Sequence, residues 1–236
     1  MLQIALLTFA TPFLFLAVVA AVAQRLVYNG LPWLEIAQKP LLGLISEFLG
    51  YIVVLFFMVV LVEGKYHVGF LKAIGWNFPR RYLEVTRLVG LGALLLLVLS
   101  GISHFLPFPQ KVPFDQFFKR PTEAYLTSLF AISFGPLMEE LFFRGFLYPV
   151  LARWLGTGIG VFLTALGFGL LHATQLGFAW GPILIIFLVG VVLTIVRAVS
   201  RSVAASFLVH IAYNFTLTAI TFVGTDGFRH LERLNQ

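Results

Sequence analysis

The sequence predicts an all-α fold, a polytopic transmembrane bundle of about seven to eight spans. Two observations lead there. Of the 236 residues, 60% are hydrophobic and only 11% are charged, against roughly 25% charged in an ordinary soluble domain. The apolar residues fall in long runs with short polar or basic turns between them, each run near the ~20 residues that a helix needs to cross a bilayer. Cysteine is absent, which excludes disulfides and cysteine-ligated metal. A soluble globular domain is ruled out by the same composition.

The first run covers residues 4–23, interrupted only by Thr8, Thr11 and Pro12. It ends in Ala21-Val22-Ala23, which resembles a signal-peptidase site. No Lys or Arg precedes the run and it is long enough to span, so it reads as a retained helix. A second span, 41–62, carries Glu47 near its start, and a third, 88–106, has His104 at its end. The fourth stretch, 122–154, exceeds a single crossing. Pro136 is expected to kink or interrupt it, and an eighth span would arise there. A Gly-rich fifth span, 156–173, ends with His172. The sixth is 181–199, and the seventh, 203–223, holds His210 and Asn214. Without repeats, low-complexity tracts or long linkers, the chain reads as one transmembrane domain over 1–236, with its polar core in 122–222.

The net charge is +6. The basic residues sit mostly in short loops, where membrane orientation explains them and no nucleic-acid partner is required. The densest cluster, Lys65, Lys72, Arg80, Arg81 and Arg87, places the 63–87 loop in the cytoplasm together with the N-terminus and the 197–201 turn. Lys111, Lys119, Arg120, Arg25 and Lys39 then fall on the other side, so the bias is small.

Glu139, Glu140 and Arg144 interrupt an otherwise apolar helix. Ionisable groups at membrane depth cost about 2.5–3.5 kcal/mol each on insertion scales, and such groups mark functional sites by default. Glu140 and Arg144 are four apart with the acid first, the favourable order for a helical ion pair. Glu139 is rotated by about 100° from Glu140, so its carboxylate faces a different surface. Two roles follow: Glu140 as the structural orienter and Glu139 as the reactive group. An interfacial pair with a snorkelling Arg144 is the simpler alternative.

His210 and Asn214, again four apart, project from one helix face. They could equally serve as interhelical hydrogen bonds. His172 closes its helix, while His67, His104 and His230 sit in loops or at ends. As a set, two carboxylates, an arginine, two histidines and an asparagine on three apolar segments can hydrolyse a bond without a Ser or Cys nucleophile. A carboxylate beside a histidine takes a proton from water and returns it to the leaving amine. A second histidine and an amide can donate to the oxyanion. A zinc site built from Glu139, His172 and His210 remains the other option, although no His-Glu-x-x-His spacing is present.

These residues, Glu139-Glu140-x-x-x-Arg144, Phe168-x-x-x-His172 and His210-x-x-x-Asn214, resemble the three-motif signature of the CPBP intramembrane proteases. That group contains the CAAX prenyl endopeptidases and the Abi proteins of bacteriocin processing and immunity. The resemblance covers residues 122–222 and implies that Glu139 and His172 activate water, that His210 and Asn214 hold the oxyanion, and that Glu140 and Arg144 support them. The family is described both as metalloproteases and as a glutamate-dependent class, so zinc stays open.

The expected activity is therefore hydrolysis of a peptide bond in a membrane-associated protein or peptide, by a multi-pass protein of a bacterial inner membrane. A non-catalytic immunity or scaffold protein of the same fold is the alternative, and a proton-relay transporter ranks behind it. One geometric condition applies. With straight spans His172 falls near one surface, and His210 lies about 10 Å from the opposite end of its helix. A shared site then predicts that the 172–181 connection dips inward or that Gly190 breaks the sixth span.

Overall fold

A computed structural model describes residues 2–235, all of whose regular elements are helical. Its chain forms two compact units, residues 1–70 and 71–236.

In the first unit, α1 (Leu2–Leu26) and α3 (Pro40–Tyr66) pack together through the short α2 (Trp33–Ala37). Ala20, Ala23, Ile36 and Leu42 form a small buried cluster, fringed by Leu16, Val19, Tyr28 and Leu31. Small residues on α1 allow the close approach, as membrane helices require when lipid is as apolar as Leu. Ala21–Ala23 therefore lie inside a continuous helix, and Ala23 belongs to this cluster.

The second unit begins within α4 (Phe70–Ile74). It continues through α5 (Tyr82–Ser103), α6 (Pro121–Ala131), α7 (Phe134–Glu140), a π-helical turn at Leu141–Leu147 and α8 (Tyr148–Leu155). Three more helices follow: α9 (Thr157–Leu171), α10 (Trp180–Ser200) and α11 (Val203–Gly224). The short turns force antiparallel neighbours, and α9 packs on both α8 and α10. The tightest crossing joins α5 and α11. A Cβ on Gly92 would overlap the Val209 carbonyl oxygen and come within 2.7 Å of the Ala212 Cβ.

Five helical stretches among the described residues are long and apolar enough to cross a membrane: Pro40–Gly64, Tyr82–Ser103, Pro121–Leu155, Trp180–Ser200 and Val203–Gly224. Two shorter apolar helices, Phe13–Leu26 and Thr157–Leu171, coincide with the remaining runs. Many large apolar side chains face outward, Leu97 at 59% and Ile220 at 55% exposure among them. So much exposed hydrocarbon is untenable in water and expected in lipid. The protein is a multi-pass membrane protein.

The fourth stretch breaks where proline chemistry requires. Pro136 does not mark the break itself; it sits in the first turn of α7, where a missing N–H costs nothing. Its ring instead excludes the carbonyl four residues earlier, that of Ile132, and the helix is interrupted at Ile132–Ser133.

Neither inward device expected from the sequence is used. Helix α10 runs unbroken through Gly190, and most of the 172–179 connection is half-buried or exposed. Helix α9, whose 15 residues extend only about 22 Å at 1.5 Å per residue, is short of a ~30 Å hydrocarbon core.

Candidate active site

The floor of the site is built on α7, the π-turn and α10. Arg144 Nη1 donates to Glu140 Oε1 at 2.8 Å, with both side chains fully buried. Two further donors of the guanidinium are used across helices. Nε reaches Thr194 Oγ1 at 3.3 Å and Nη2 reaches the Gly190 carbonyl at 3.1 Å. The Arg144 guanidinium also lies over the Phe168 ring, 4.5 Å from its centroid, a geometry that stabilises a cation. Gly190 thus has a role different from the helix break anticipated for it. Its carbonyl accepts from both Arg144 and Thr194, and the absence of a side chain lets α10 approach Ala165 on α9, where a Cβ would stand 3.1 Å from the Ala165 Cα.

His210 connects the floor to the mouth. Its Nδ1 donates to Glu140 Oε1 at 3.0 Å, while its Nε2 lies 3.6 Å from Glu139 Oε2. Because the carboxylate of an Arg-paired Glu140 accepts, Nδ1 carries the hydrogen. Nε2 is then a lone pair in the neutral ring and an N–H only in the imidazolium.

Glu139 and His172 form the mouth, with side chains 14% and 19% exposed. His172 caps the end of α9, and its Nδ1 lies 2.9 Å from the Phe168 carbonyl. A carbonyl can only accept, so Nδ1 donates and Nε2 points the other way, 3.7 Å from Glu139 Oε1. The two oxygens of Glu139 therefore face one imidazole each. Both separations exceed a hydrogen bond. Phe168 lies against both rings, at 5.0 Å from His172 and 5.8 Å from His210. It closes the apolar wall between them.

Asn214 lies one turn beyond His210 on α11, and its Nδ2 donates to the Ala131 carbonyl at 2.7 Å. In an unbroken helix that carbonyl would accept from the Gly135 N–H, so the amide bridges the break ahead of the two glutamates. One N–H of Asn214 is committed in this way, and an amide has two.

Five sequence-selected residues, Glu139, Glu140, Arg144, His172 and His210, are thus brought together, and Asn214 braces the adjoining break. Of the other histidines, His67 and His104 are exposed, and His230 pairs with Glu232 at 3.0 Å. Sequence reasoning missed Thr194 and the Gly190 carbonyl. Their four-residue spacing, with a hydroxyl bonded back to a freed carbonyl, was the available signal. Among the described residues no three His, Cys, Asp or Glu side chains are arranged to hold a metal ion. No step below runs through a metal, and the zinc set Glu139, His172 and His210 is left to the metal analysis proposed below.

Residues 121–216 match the family model described as Rce1-like, type II CAAX prenyl endopeptidase. This segment is similar to the Rce1-like group of CPBP-type intramembrane proteases. The match encloses every residue of the constellation above, from the Ala131 carbonyl to Asn214. A comparison with curated proteins found no match, and neither did one with solved structures. The likeness of this segment supports a hydrolase of the protease class that works within the bilayer on a membrane-associated substrate.

Proposed function

We propose that the protein is a glutamate-dependent intramembrane endopeptidase of a bacterial inner membrane. It hydrolyses one peptide bond of a membrane-bound protein or leader-bearing peptide. The observation that carries this reading is the position of Glu139, one oxygen toward His172 Nε2 and the other toward His210 Nε2.

The chemistry follows from the hydrogen positions. Neutral His172 offers its Nε2 lone pair beside Glu139 Oε1, so one water within reach of both is held and relieved of a proton by the carboxylate. The water oxygen bonds to the scissile carbonyl carbon, and the carbonyl oxygen becomes an oxyanion. His210 meets it as an imidazolium, through Nε2–H, and the second N–H of Asn214 supplies another donor. In that form two carboxylates balance the two cations Arg144 and His210, which keeps a low-dielectric site neutral. Such donors lower the barrier by about 2.7–4 kcal/mol each. Glu139 then passes its proton to the leaving nitrogen, the C–N bond breaks as the oxyanion re-forms a carbonyl, and the new carboxylic acid gives its proton to the amine, so a carboxylate and an ammonium leave.

The test uses the purified protein in lipid nanodiscs with a farnesylated CaaX peptide as first probe. Peptide mass spectrometry of membranes carrying either the wild type or Glu139→Gln covers unprenylated substrates. Cleavage products that depend on both Glu139 and His172 are expected. Wild-type processing by Glu139→Gln or His172→Ala would overturn the mechanism. Metal analysis with a chelator control decides the cofactor, and full activity of metal-free protein is expected.

A further inference from the structure

The π-turn that carries Arg144 has an unsolved hydrogen bond within its own backbone. In a π-helix each carbonyl accepts from the N–H five residues on, and Tyr148 N–H does donate to the Phe143 carbonyl. The next bond in that register would run from residue 149 to the Arg144 carbonyl. Residue 149 is Pro, which has no N–H. A buried carbonyl without a donor is costly, so the accounting has to close elsewhere.

It closes on Arg197, in the last turn of α10. Arg197 Nε donates to the Arg144 carbonyl at 3.1 Å, and its Nη2 donates to the Ile74 carbonyl at 3.2 Å. The ordinary explanation of a cation at a helix end is snorkelling or the helix dipole. Here two donors of the half-buried guanidinium instead end on carbonyls 53 and 123 residues away. The 74–77 backbone is stitched to the α10–α11 turn by further bonds. The Val203 N–H donates to the Gly75 carbonyl at 3.0 Å, and the Ser202 hydroxyl donates to the Asn77 carbonyl. Gly75, at φ +75°, leaves the guanidinium its space, because a Cβ there would stand 3.1 Å from Arg197 Nη2. Ile74 in turn lies against Gly145 inside the π-turn, 3.2 Å from where a Cβ would project.

We infer that Arg197 is a positioning residue. It supplies the donor that Pro149 denies the π-turn, and so fixes the register in which Glu139, Glu140 and Arg144 reach His172 and His210. The catalytic consequence rests on the protease reading above; the structural consequence does not.

Hydrogen exchange of the full chain in nanodiscs tests the structural part without substrate. Arg197→Gln should speed exchange of the 141–148 amides at least tenfold while α9 keeps its protection. Adding Pro149→Ala, which restores an N–H at the missing position, should recover protection in the double variant. On the farnesylated peptide, kcat of Arg197→Gln should fall by about 100-fold, the penalty of a small misplacement, with KM within about twofold. The double variant should regain most of that loss. Arg197→Lys, whose single nitrogen stands in for both the Nε and the Nη2 that reach the two carbonyls, covers the case in which Arg197→Gln does not fold, and Pro149→Ala should rescue it likewise. Unchanged exchange at 141–148, or no recovery with Pro149→Ala, overturns the inference. A wild type inert toward all membrane peptides would sink the protease reading, while the exchange arm would still decide the role of Arg197.

Discussion

Glu140 on the floor of this site and Glu139 in its mouth are adjacent in sequence and differ in almost every physical respect. Glu140 on the floor is fully buried, and its partner Arg144 has three separate donors engaged. Glu139 in the mouth is partly exposed, and its two imidazole neighbours stand at 3.6 and 3.7 Å. Helical rotation separates the adjacent acids, and the surroundings then assign them different work. The floor holds geometry through short bonds. The mouth keeps distances that a reacting water can shorten, as apo sites often do.

The sharpest way to break this comparison is Glu139→Gln, which keeps shape and removes the base. Peptide cleavage should fall by about 10²–10⁴-fold, the usual worth of a positioned acid–base group. Thermal stability in nanodiscs should stay near that of the wild type. A large loss of stability would place Glu139 on the floor and erase the distinction.

Arg144→Ala should give the reverse signature. It leaves the Glu140 charge buried without its cation, a change that costs about 3–5 kcal/mol. Little folded protein is expected in a detergent-stability assay. Replacing both members, Glu140→Leu with Arg144→Met, should recover much of the stability and none of the activity. Recovery of activity would show that the ion pair is dispensable.

How far the site was legible follows the same division. The Glu140–Arg144 pair could be read because both members sit on one helix, where a four-residue spacing fixes the neighbour. The place of His210 between Glu140 and Glu139 could not, because it depends on where α11 crosses α7. That crossing leaves little trace in an apolar sequence, since a lipid-facing and a helix-facing leucine look alike. Thr194 and Gly190 were hidden for the same reason. Pro136 was recognised as a breaker, but the break falls at Ile132–Ser133, because the ring acts on the carbonyl four residues back. The π-turn had no legible signature beforehand; only the structure shows that Pro149 and Arg197 belong together. The all-α membrane fold needed no such detail, because composition and run length decide it.

Asn214 lies between floor and mouth, with one N–H on the Ala131 carbonyl. Asn214→Ala should lower kcat by about 10²–10³-fold if its other N–H meets the oxyanion. Loss of the bridge across the break should also cost about 1 kcal/mol of stability. Steady-state kinetics together with thermal unfolding separates the two contributions. A stability loss with unchanged kcat would reduce Asn214 to a brace.

The smallest expected effect probes the floor alone. Thr194 accepts from Arg144 Nε at 3.3 Å and donates to the Gly190 carbonyl at 2.7 Å. Thr194→Val keeps the shape of the side chain and removes its oxygen. The Gly190 carbonyl retains Arg144 Nη2 as its donor, so only the Nε hydrogen is stranded. The cost should be about 1–3 kcal/mol, the range for a buried donor left unmade. Thr194→Ser, which restores the acceptor, should recover most of it. Because Arg144 still grips Glu140, and Glu140 still grips His210, kcat per folded molecule should stay within about threefold of the wild type. A tenfold fall in kcat with unchanged stability would mean that the floor tunes the chemistry directly, beyond holding it in place.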